Sequence, residues 1–280
     1  MRNKREYHWQ DGKMLRLGDN TVVMGILNGT PDSFSDGGKY NTVIGATAHL
    51  KEMIASGAGI VDIGFESTRP GHVQISEEEE VERMKEILPA LVAESTVPLS
   101  IDTYRAKPAA YALFQGVHIL NDIWGLQYDS EMADVAKEYD VPICVMHNQK
   151  EVVYADIIDD MKAFFDKSLA IAMKAGISPD KIWLDPGLGF AKDYKENVEV
   201  LRRLPELTAL SYPILLGPSR KRFIGTILDG VPFTERDEGT VATCVAGALM
   251  GISIVRVHNV AMTKKALAVS DTIWGNVDKG

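Results

Sequence analysis

Short apolar runs alternate along the chain with longer segments that have helical periodicity. Most of the runs are apolar throughout, as expected for strands of a parallel sheet that is covered on both faces. The eight runs are TVVMGIL (21–27), IVDIG (60–64), PLSIDT (98–103), HILNDI (118–123), PICVMH (142–147), KIWLDP (181–186), PILLG (213–217) and SIVRVH (253–258). Eight strands alternating with helices predict an α/β fold of the (β/α)8 TIM-barrel type, and an open doubly wound sheet is the alternative.

The segments between these runs carry signals for the start and the end of helices. In SEEEEVERMKEILPALV, Ser76 and Glu79 have capping-box spacing and an apolar stripe begins at Val81. The acidic run 77–80 is predicted to be a solvated face near the positive end of the helix dipole, not a metal site. Three glycines stand where helix C-caps are expected, at positions Gly57, Gly116 and Gly176.

No shift of composition and no linker rich in Pro, Gly or Ser divides the sequence. We therefore predict one domain, with residues 21–280 forming the barrel and residues 1–20 a short N-terminal extension. Of the 280 residues, 45% are apolar and 25% are charged, which is the balance of a folded protein. The formal net charge of -9 argues against non-specific binding to nucleic acid or to an anionic membrane, so positive charge for an anionic ligand must be local.

The cysteines and the apolar segments predict a cytoplasmic protein. Cys144 and Cys244 each lie in an apolar run, which indicates buried free thiols in a reducing compartment. The N-terminal residues contain no apolar stretch of the kind found in secretory signals. The longest apolar run, 241–255, is too short to span a bilayer.

Polar or charged residues follow the predicted strands, where the strands of a barrel place their catalytic groups. A lone Asp after a strand is usually a turn or cap residue, but here the feature recurs at every strand, and an unpaired buried charge is costly. Cationic groups suited to phosphate or carboxylate are Arg69, Lys221, Arg222, Arg256 and His258. Acceptor groups suited to a ligand rich in N–H are Asp102, Asn121 and Asp185. These two sets predict a ligand with a guanidine-like heterocycle at one end and an anion at the other.

Eight segments that carry these residues resemble the ordered signature blocks of the dihydropteroate synthases, enzymes of the folate pathway. The blocks are MGILNGTPDSFSDGG, DIGFESTRPG, SIDT, HILNDIWG, VMH, LDPGLGF, LLGPSRKRFIG and RVHNV, which span residues 24–260 in the order of that family. The resemblance implies a (β/α)8 barrel, which agrees with the strand count. It also implies that 4-aminobenzoate displaces diphosphate from (7,8-dihydropterin-6-yl)methyl diphosphate to form 7,8-dihydropteroate, with Mg2+ assisting.

The resemblance further implies a role for each matching residue. The pterin ring is expected to contact Asp102, Asn121, Met146, Asp185, Phe190, Lys221 and Arg256. The diphosphate is expected to contact Arg69, Arg256 and His258, with Asn28 as a ligand of Mg2+ and Asp62 also in the site. The aminobenzoate is expected to lie near Phe34, Thr68, Pro70, Phe190, Lys221 and Arg222. For a dissociative reaction, the groups expected to carry the electrostatic load are Asp36, Lys221, Arg256 and His258. The family also implies a sulfonamide target and a homodimer.

Several positions depart from the common pattern of that family. Gly29 stands where Val is usual and Phe65 where Gly is usual, while Pro218 replaces Thr and Asn259 replaces Asp. The role of Arg222, where some members have Ser, is open. The sequence is compatible with two other functions: another pterin-barrel enzyme such as a methyltetrahydrofolate methyltransferase, which the cationic groups disfavour, and a non-catalytic pterin-binding paralogue, to which Gly29 and Phe65 give weight.

Overall fold

The structure, a computed structural model, describes residues 3–29, 43–66 and 74–274. The strands of this part of the chain are β1 (Arg5–His8), β2 (Met14–Leu17), β3 (Val22–Asn28), β4 (Ile60–Gly64), β5 (Leu99–Asp102), β6 (Ile119–Asp122), β7 (Ile143–Met146), β8 (Ile182–Asp185), β9 (Leu215–Leu216) and β10 (Ile254–Val257). Strands β3 to β10 form one parallel sheet in the order β8-β7-β6-β5-β4-β3-β10-β9. An isolated parallel bridge between Leu184 and Ile214 joins the two edges. The predicted barrel is confirmed, and the doubly wound alternative is wrong.

Helices follow the strands around the outside of the barrel. Their bounds are α1 (Val43–Ala55), α2 (Glu77–Glu94), α3 (Ala106–Phe114), α4 (Met132–Glu138), α5 (Ile157–Ala175), α6 (Tyr194–Arg202), α7 (Leu204–Thr208), α8 (Arg222–Ile227), α9 (Asp237–Leu249) and α10 (Val260–Trp274). Helix α5 ends at Gly176, whose left-handed φ of 82° is one that glycine adopts without strain. Within the described ranges, no helix is both long and apolar enough to cross a membrane.

Helix α2 shows where the local pattern predicted correctly and where it did not. The Ser76 hydroxyl accepts a hydrogen bond from the Glu79 backbone N–H at 3.1 Å, which confirms the predicted N-cap. The Glu79 carboxylate instead accepts from Arg83 at 2.6 Å. The expectation of a solvated acidic face is wrong for Glu80, which is 1% exposed and pairs with Arg105 Nη1 at 2.9 Å. The helical period directs Glu80 to the barrel side of α2, where only a pairing cation makes its charge tolerable.

The hairpin of β1 and β2 packs against the N-terminal ends of the barrel strands. Its Tyr7, Leu15 and Leu17 belong to a buried cluster with Met24, Ile60, Ile119, Cys144, Trp183, Leu215 and Ile254. The Tyr7 hydroxyl accepts from Trp183 Nε1 at 2.8 Å and donates to the Asp180 carbonyl at 2.7 Å. The hairpin therefore covers the N-terminal ends of the barrel strands.

Both cysteines are free and buried, as predicted. Cys144 lies inside the barrel on β7, and Cys244 lies in α9 between helix and sheet. Burial raises the pKa of each thiol, well above its ordinary value for Cys144 and to about 12 for Cys244. Neither thiol is therefore suited to act as a nucleophile.

Candidate active site

An arginine from the last strand joins carboxylates of two other strands, which lie two and three places away in the sheet. Arg256 of β10 donates from Nε to Asp62 Oδ2 at 2.6 Å and from Nη2 to Asp102 Oδ2 at 2.7 Å. The Asn121 amide donates to the same oxygen of Asp62 at 3.0 Å. The parallel register places Asp102 level with Asn121, while Asp62 is level with Ser100, two residues earlier along the strands, so side chains at two levels of the barrel meet. Four of the predicted site residues are thus in direct contact.

The remaining oxygen of each carboxylate lacks a protein partner. Asp62 Oδ1 and Asp102 Oδ1 are buried, and no hydrogen-bond donor within residues 3–29, 43–66 and 74–274 reaches them. Burial raises the pKa of Asp102 to about 7, although the charge of Arg256 opposes the shift. Burial disfavours the charge on Arg256 as well, but Asp62 and Asp102 outweigh it and raise the pKa of this guanidinium. Buried acceptors of this kind are normally satisfied by a ligand or water.

A second set of groups lies beside this cluster, on β8 and on the segment after β9. Asp185 Oδ1 accepts the Gly187 backbone N–H at 2.7 Å, and Lys221 Nζ stands 4.3 Å from the centre of the Phe190 ring. Burial raises the pKa of Asp185 to about 6. Burial, together with the charge of Arg256, lowers the pKa of Lys221 to about 8, against the attraction of Asp185 and Asp102. The site therefore holds titratable groups whose pKa values are moved toward neutrality, which is typical of functional sites.

The turn that carries Phe190 depends on two glycines for its close approach to its neighbours. Gly187 and Gly189 have left-handed φ values of 66° and 77°. A Cβ on Gly187 would lie 2.1 Å from the carbonyl oxygen of His147, and one on Gly189 would lie 2.9 Å from Cδ of Lys221. Side chains at these two positions would push the turn away from β7 and from Lys221.

His258 and Arg220 are held by polar contacts after β9 and β10. The Ser219 hydroxyl accepts from the His258 backbone N–H at 3.0 Å and lies 2.7 Å from His258 Nδ1. Arg220 makes a two-pronged pair with Asp237 at 2.6 and 2.8 Å. The Asn259 amide donates to Asp237 at 2.9 Å, so an amide fits here where an Asp would face another carboxylate. Arg222 is exposed at the start of α8, and nothing in the described contacts accounts for Pro218 in place of Thr.

Gly29 and Phe65, the two unexplained departures, turn out to be neighbours. Phe65 is fully buried, and a Cβ on Gly29 would lie 2.7 Å from its Cε1 and 2.9 Å from its Cδ1. The φ of Gly29 lies outside the left-handed region, so space alone requires glycine at this position. The Phe65 ring therefore occupies the volume that a larger side chain at position 29 would need, and each departure accounts for the other.

The structure places other predicted residues near the cluster, while some lie outside its description. Asn28 is half-buried at the end of β3, with its Cα opposite Gly64. Met146 is buried at the end of β7 and packs in a small apolar cluster with Phe190. The predictions for Phe34, Asp36, Thr68, Arg69 and Pro70 fall on residues outside those that the structure describes.

Lys192 is a buried residue that the sequence did not single out. Its side chain is next to the turn after β8, where its Nζ lies 2.9 Å from His147 Nδ1. The His147 ring packs edge-on against Phe164 with 4.9 Å between ring centres. Burial, reinforced by Lys192, lowers the pKa of His147 to about 3, so this imidazole is neutral. A lysine in a Gly-rich and Asp-rich segment resembles a solvated loop residue, and no local signal distinguishes it from one.

The sequence and the fold were compared with those of known proteins. A family model described as "Pterin binding enzyme" matches residues 24–258. The dihydropteroate synthase of Clostridium beijerinckii is 47% identical over 262 residues, which are 93% of this chain and 97% of the relative. A dihydropteroate synthase structure from Clostridium difficile, determined in the presence of pteroic acid, has a TM-score of 0.90 at 49% identity and covers 93% of this chain and 99% of that chain.

A more distant solved structure has the same fold. The Xanthomonas albilineans dihydropteroate synthase with 4-aminobenzoic acid has a TM-score of 0.90 at 38% identity, over 94% of this chain and 96% of that chain. The family match covers more than half of the chain, and the relatives are similar over nearly their whole length. The chain therefore belongs to the pterin binding enzyme family and, within it, to the dihydropteroate synthases, which are transferases of folate synthesis.

Proposed function

We propose that the protein condenses (7,8-dihydropterin-6-yl)methyl diphosphate with 4-aminobenzoate to give 7,8-dihydropteroate and diphosphate. The observation that carries this proposal is the cluster of Asp62, Asp102 and Arg256, in which one buried oxygen of each carboxylate lacks a donor from the described residues. The pteroic acid and 4-aminobenzoic acid named with the two solved relatives support the same pair of substrates.

The pterin ring has N–H groups along one edge, and these groups suit the acceptors of the site. Asp102 and Asp185 accept N–H bonds from the ring, and the Asn121 amide can complete the contact. Met146 and Phe190 pack against the ring, because both lie in the apolar cluster beside these acceptors. Lys221 already lies against the Phe190 ring and so borders both the pterin and the aminobenzoate.

The reaction we propose begins with cleavage of the bond between the pterin methylene carbon and the diphosphate oxygen. The electron pair leaves with the diphosphate, whose charge Arg256 and His258 stabilise, and the carboxylates of the site stabilise the pterin cation. The amine nitrogen of 4-aminobenzoate then forms the new C–N bond and loses a proton to water. No covalent enzyme intermediate is needed, which agrees with the burial of both cysteines. Asp36, which would face the reacting carbon, stays a prediction.

The donors of this site suit a magnesium ion that has few protein ligands. In the part of the chain that the structure covers, no group of three or more His, Cys, Asp or Glu side chains is placed to hold a metal ion. Mg2+ with one protein oxygen, from Asn28, would take its other ligands from the diphosphate and from water, as this hard ion commonly does. When bound, Mg2+ would neutralise charge on the departing diphosphate.

The test is to measure dihydropteroate and diphosphate formation from the two substrates with Mg2+ present. We expect the wild-type protein to form both products and Lys221→Ala to lose most of the activity. Lys195→Ala is a matched control, because Lys195 is exposed in the first turn of α6. Binding of the pterin substrate without product from the wild-type protein would refute the proposed reaction. The homodimer expected from the resemblance stays a prediction, to be tested by light scattering.

A further inference from the structure

Lys192 holds its side-chain amine in the protein interior without a carboxylate in contact, and burial lowers the pKa of this amine to about 7 against the attraction of Asp185. The residue is 7% exposed, and among the described residues its Nζ forms no ion pair. Instead the group meets three neutral acceptors: His147 Nδ1 at 2.9 Å, the Gly187 carbonyl at 3.1 Å and the Phe190 carbonyl at 3.0 Å. In its charged form the amine has three N–H donors, and each of them then has a partner. Lysine is rarely buried, so a buried lysine whose amine has three hydrogen-bond partners indicates a structural or functional role.

The three acceptors belong to two different walls of the site. His147 follows Met146 at the end of β7, and its backbone N–H donates to the Asp185 carbonyl at 2.9 Å. Gly187 and Phe190 are the two ends of the turn after β8, and the Phe190 backbone N–H donates to the Gly187 carbonyl at 3.1 Å. The ammonium of Lys192 therefore ties the end of β7 to both ends of the turn that follows β8.

Other contacts hold the same turn from the opposite side. The Gly189 backbone N–H donates to Asn197 Oδ1 at 2.7 Å, and the Asn197 amide donates to the Lys192 carbonyl at 3.1 Å. The Tyr154 hydroxyl donates to the Ala191 carbonyl at 2.7 Å. With these groups also holding the turn, Lys192 supplies a donor to the Phe190 carbonyl and a second donor to the Gly187 carbonyl, which already accepts the Phe190 backbone N–H.

We propose that Lys192 is a positioning residue of the pterin site, which fixes Phe190 against Lys221 and holds the Met146 wall at a set distance from the Asp185 wall. This inference rests on the proposed function and deepens it. Lys192 does not itself touch the proposed substrate, since its Nζ is occupied by protein acceptors. Its effect is transmitted through Phe190, whose carbonyl it binds and whose ring contacts Lys221.

The experiment compares pteroic acid binding, measured by calorimetry, for Lys192→Met and Lys192→Gln. The two replacements are similar in length, but Gln keeps two N–H donors and Met keeps none. We expect Met to weaken binding about 10- to 100-fold, the factor that corresponds to losing hydrogen bonds from a charged donor, and Gln to recover part of this loss. Lys195→Met, an exposed control three residues along the chain, should bind like the wild type. Binding of Lys192→Met like the wild type would mean that Lys192 only fills space, and equal losses for Met and Gln would mean that its N–H donors do not position the turn; either result would make the proposal wrong.

A second measurement tests whether the effect passes through Phe190. In a Phe190→Ala background, Lys192→Met should cost much less affinity than it does in the wild-type background, because the ring that it positions is absent. An unchanged factor in both backgrounds would overturn the proposal. Thermal unfolding of each variant identifies any that do not fold, and Lys192→Gln then carries the comparison. Since binding of pteroic acid is measured without turnover, a wild-type protein that binds but forms no dihydropteroate refutes the proposed reaction and still leaves the role of Lys192 testable.

Discussion

The contact between Gly29 and Phe65 predicts that two substitutions, each harmful alone, will compensate when combined. Gly29→Val places Cβ 2.7 Å from a ring carbon of Phe65, about 1 Å inside the ordinary contact distance of two carbon atoms. Because the ring is fully buried and cannot turn into solvent, we expect overpacking to cost about 1–3 kcal/mol or somewhat more. Phe65→Gly removes the ring and leaves a cavity, which costs about 3–5 kcal/mol.

In the double variant the valine methyl groups enter the space that the ring has left. The combined loss should therefore be smaller than the sum of the single losses, with a coupling energy of about 1–3 kcal/mol. The assay is urea unfolding of the wild type, both single variants and the double variant, followed by far-UV circular dichroism. As a control, Gly29→Val combined with Phe165→Ala should be additive, since Phe165 is in α5, behind β7, four strands from β3 in the sheet.

Additive losses in the Gly29→Val, Phe65→Gly cycle would refute this reasoning. They would mean that the ring and the position 29 side chain do not compete for one volume. The same four proteins can also be compared in an activity assay, because Asn28 precedes Gly29 and is the proposed Mg2+ ligand. If the ring supports the end of β3, the Mg2+ concentration for half-maximal activity should rise in each single variant and fall back in the double variant.

Three further predictions concern the charges of the site. Arg256→Met leaves the buried carboxylates of Asp62 and Asp102 without their cation, so urea unfolding should show a loss of about 3–5 kcal/mol, and Asp62→Asn in the same chain should recover part of it. Burial raises the pKa of Asp185 to about 6, so between about pH 4 and 6 the folded chain binds a proton that the unfolded chain has released, and stability falls as pH rises through that window. Asp185→Asn should therefore make the ligand-free protein about 1–3 kcal/mol more stable near pH 7, and this gain should shrink toward pH 4. The same variant should lose pteroic acid binding. A gain in stability that does not depend on pH would contradict this account. Chelation of Mg2+ with EDTA should abolish product formation but leave the melting temperature of the ligand-free protein unchanged, since the described residues form no multi-carboxylate metal site.

The sequence predicted the barrel and the convergence of its strand ends because both follow from local pattern. Apolar runs of strand length gave the eight strands, and the geometry of a parallel barrel then brought Asp62, Asp102 and Arg256 to one end. The seventh strand was predicted over 213–217 but is reduced to Leu215–Leu216, since apolar composition alone does not determine how many residues find a partner in the sheet. The particular roles of residues came from the family resemblance, not from pattern.

The buried charge pair and the buried lysine that the sequence did not predict both involve residues far apart in the chain. Glu80 and Arg105 pair across 25 positions, and Lys192 and His147 across 45. A local reading assigns a charged residue in a helix or loop to the solvent, and only the packed structure supplies the partner that makes burial possible. Gly29 and Phe65 were each noted as unusual, but their dependence on one shared volume is a property of the fold.

The pairing of β3 with β10 has a consequence for how the chain folds during synthesis. On the side of β3 that faces β10, the sheet hydrogen bonds are made to a strand that is synthesised more than 220 residues later. The hairpin residue Tyr7 likewise bonds to Trp183, which is 176 residues further along the chain. A growing chain therefore carries an open strand edge and an undocked hairpin until almost all of it has been made. Closure of the barrel and docking of the hairpin are therefore late events. The time at which Trp183 fluorescence is quenched by its new neighbours would show when they occur.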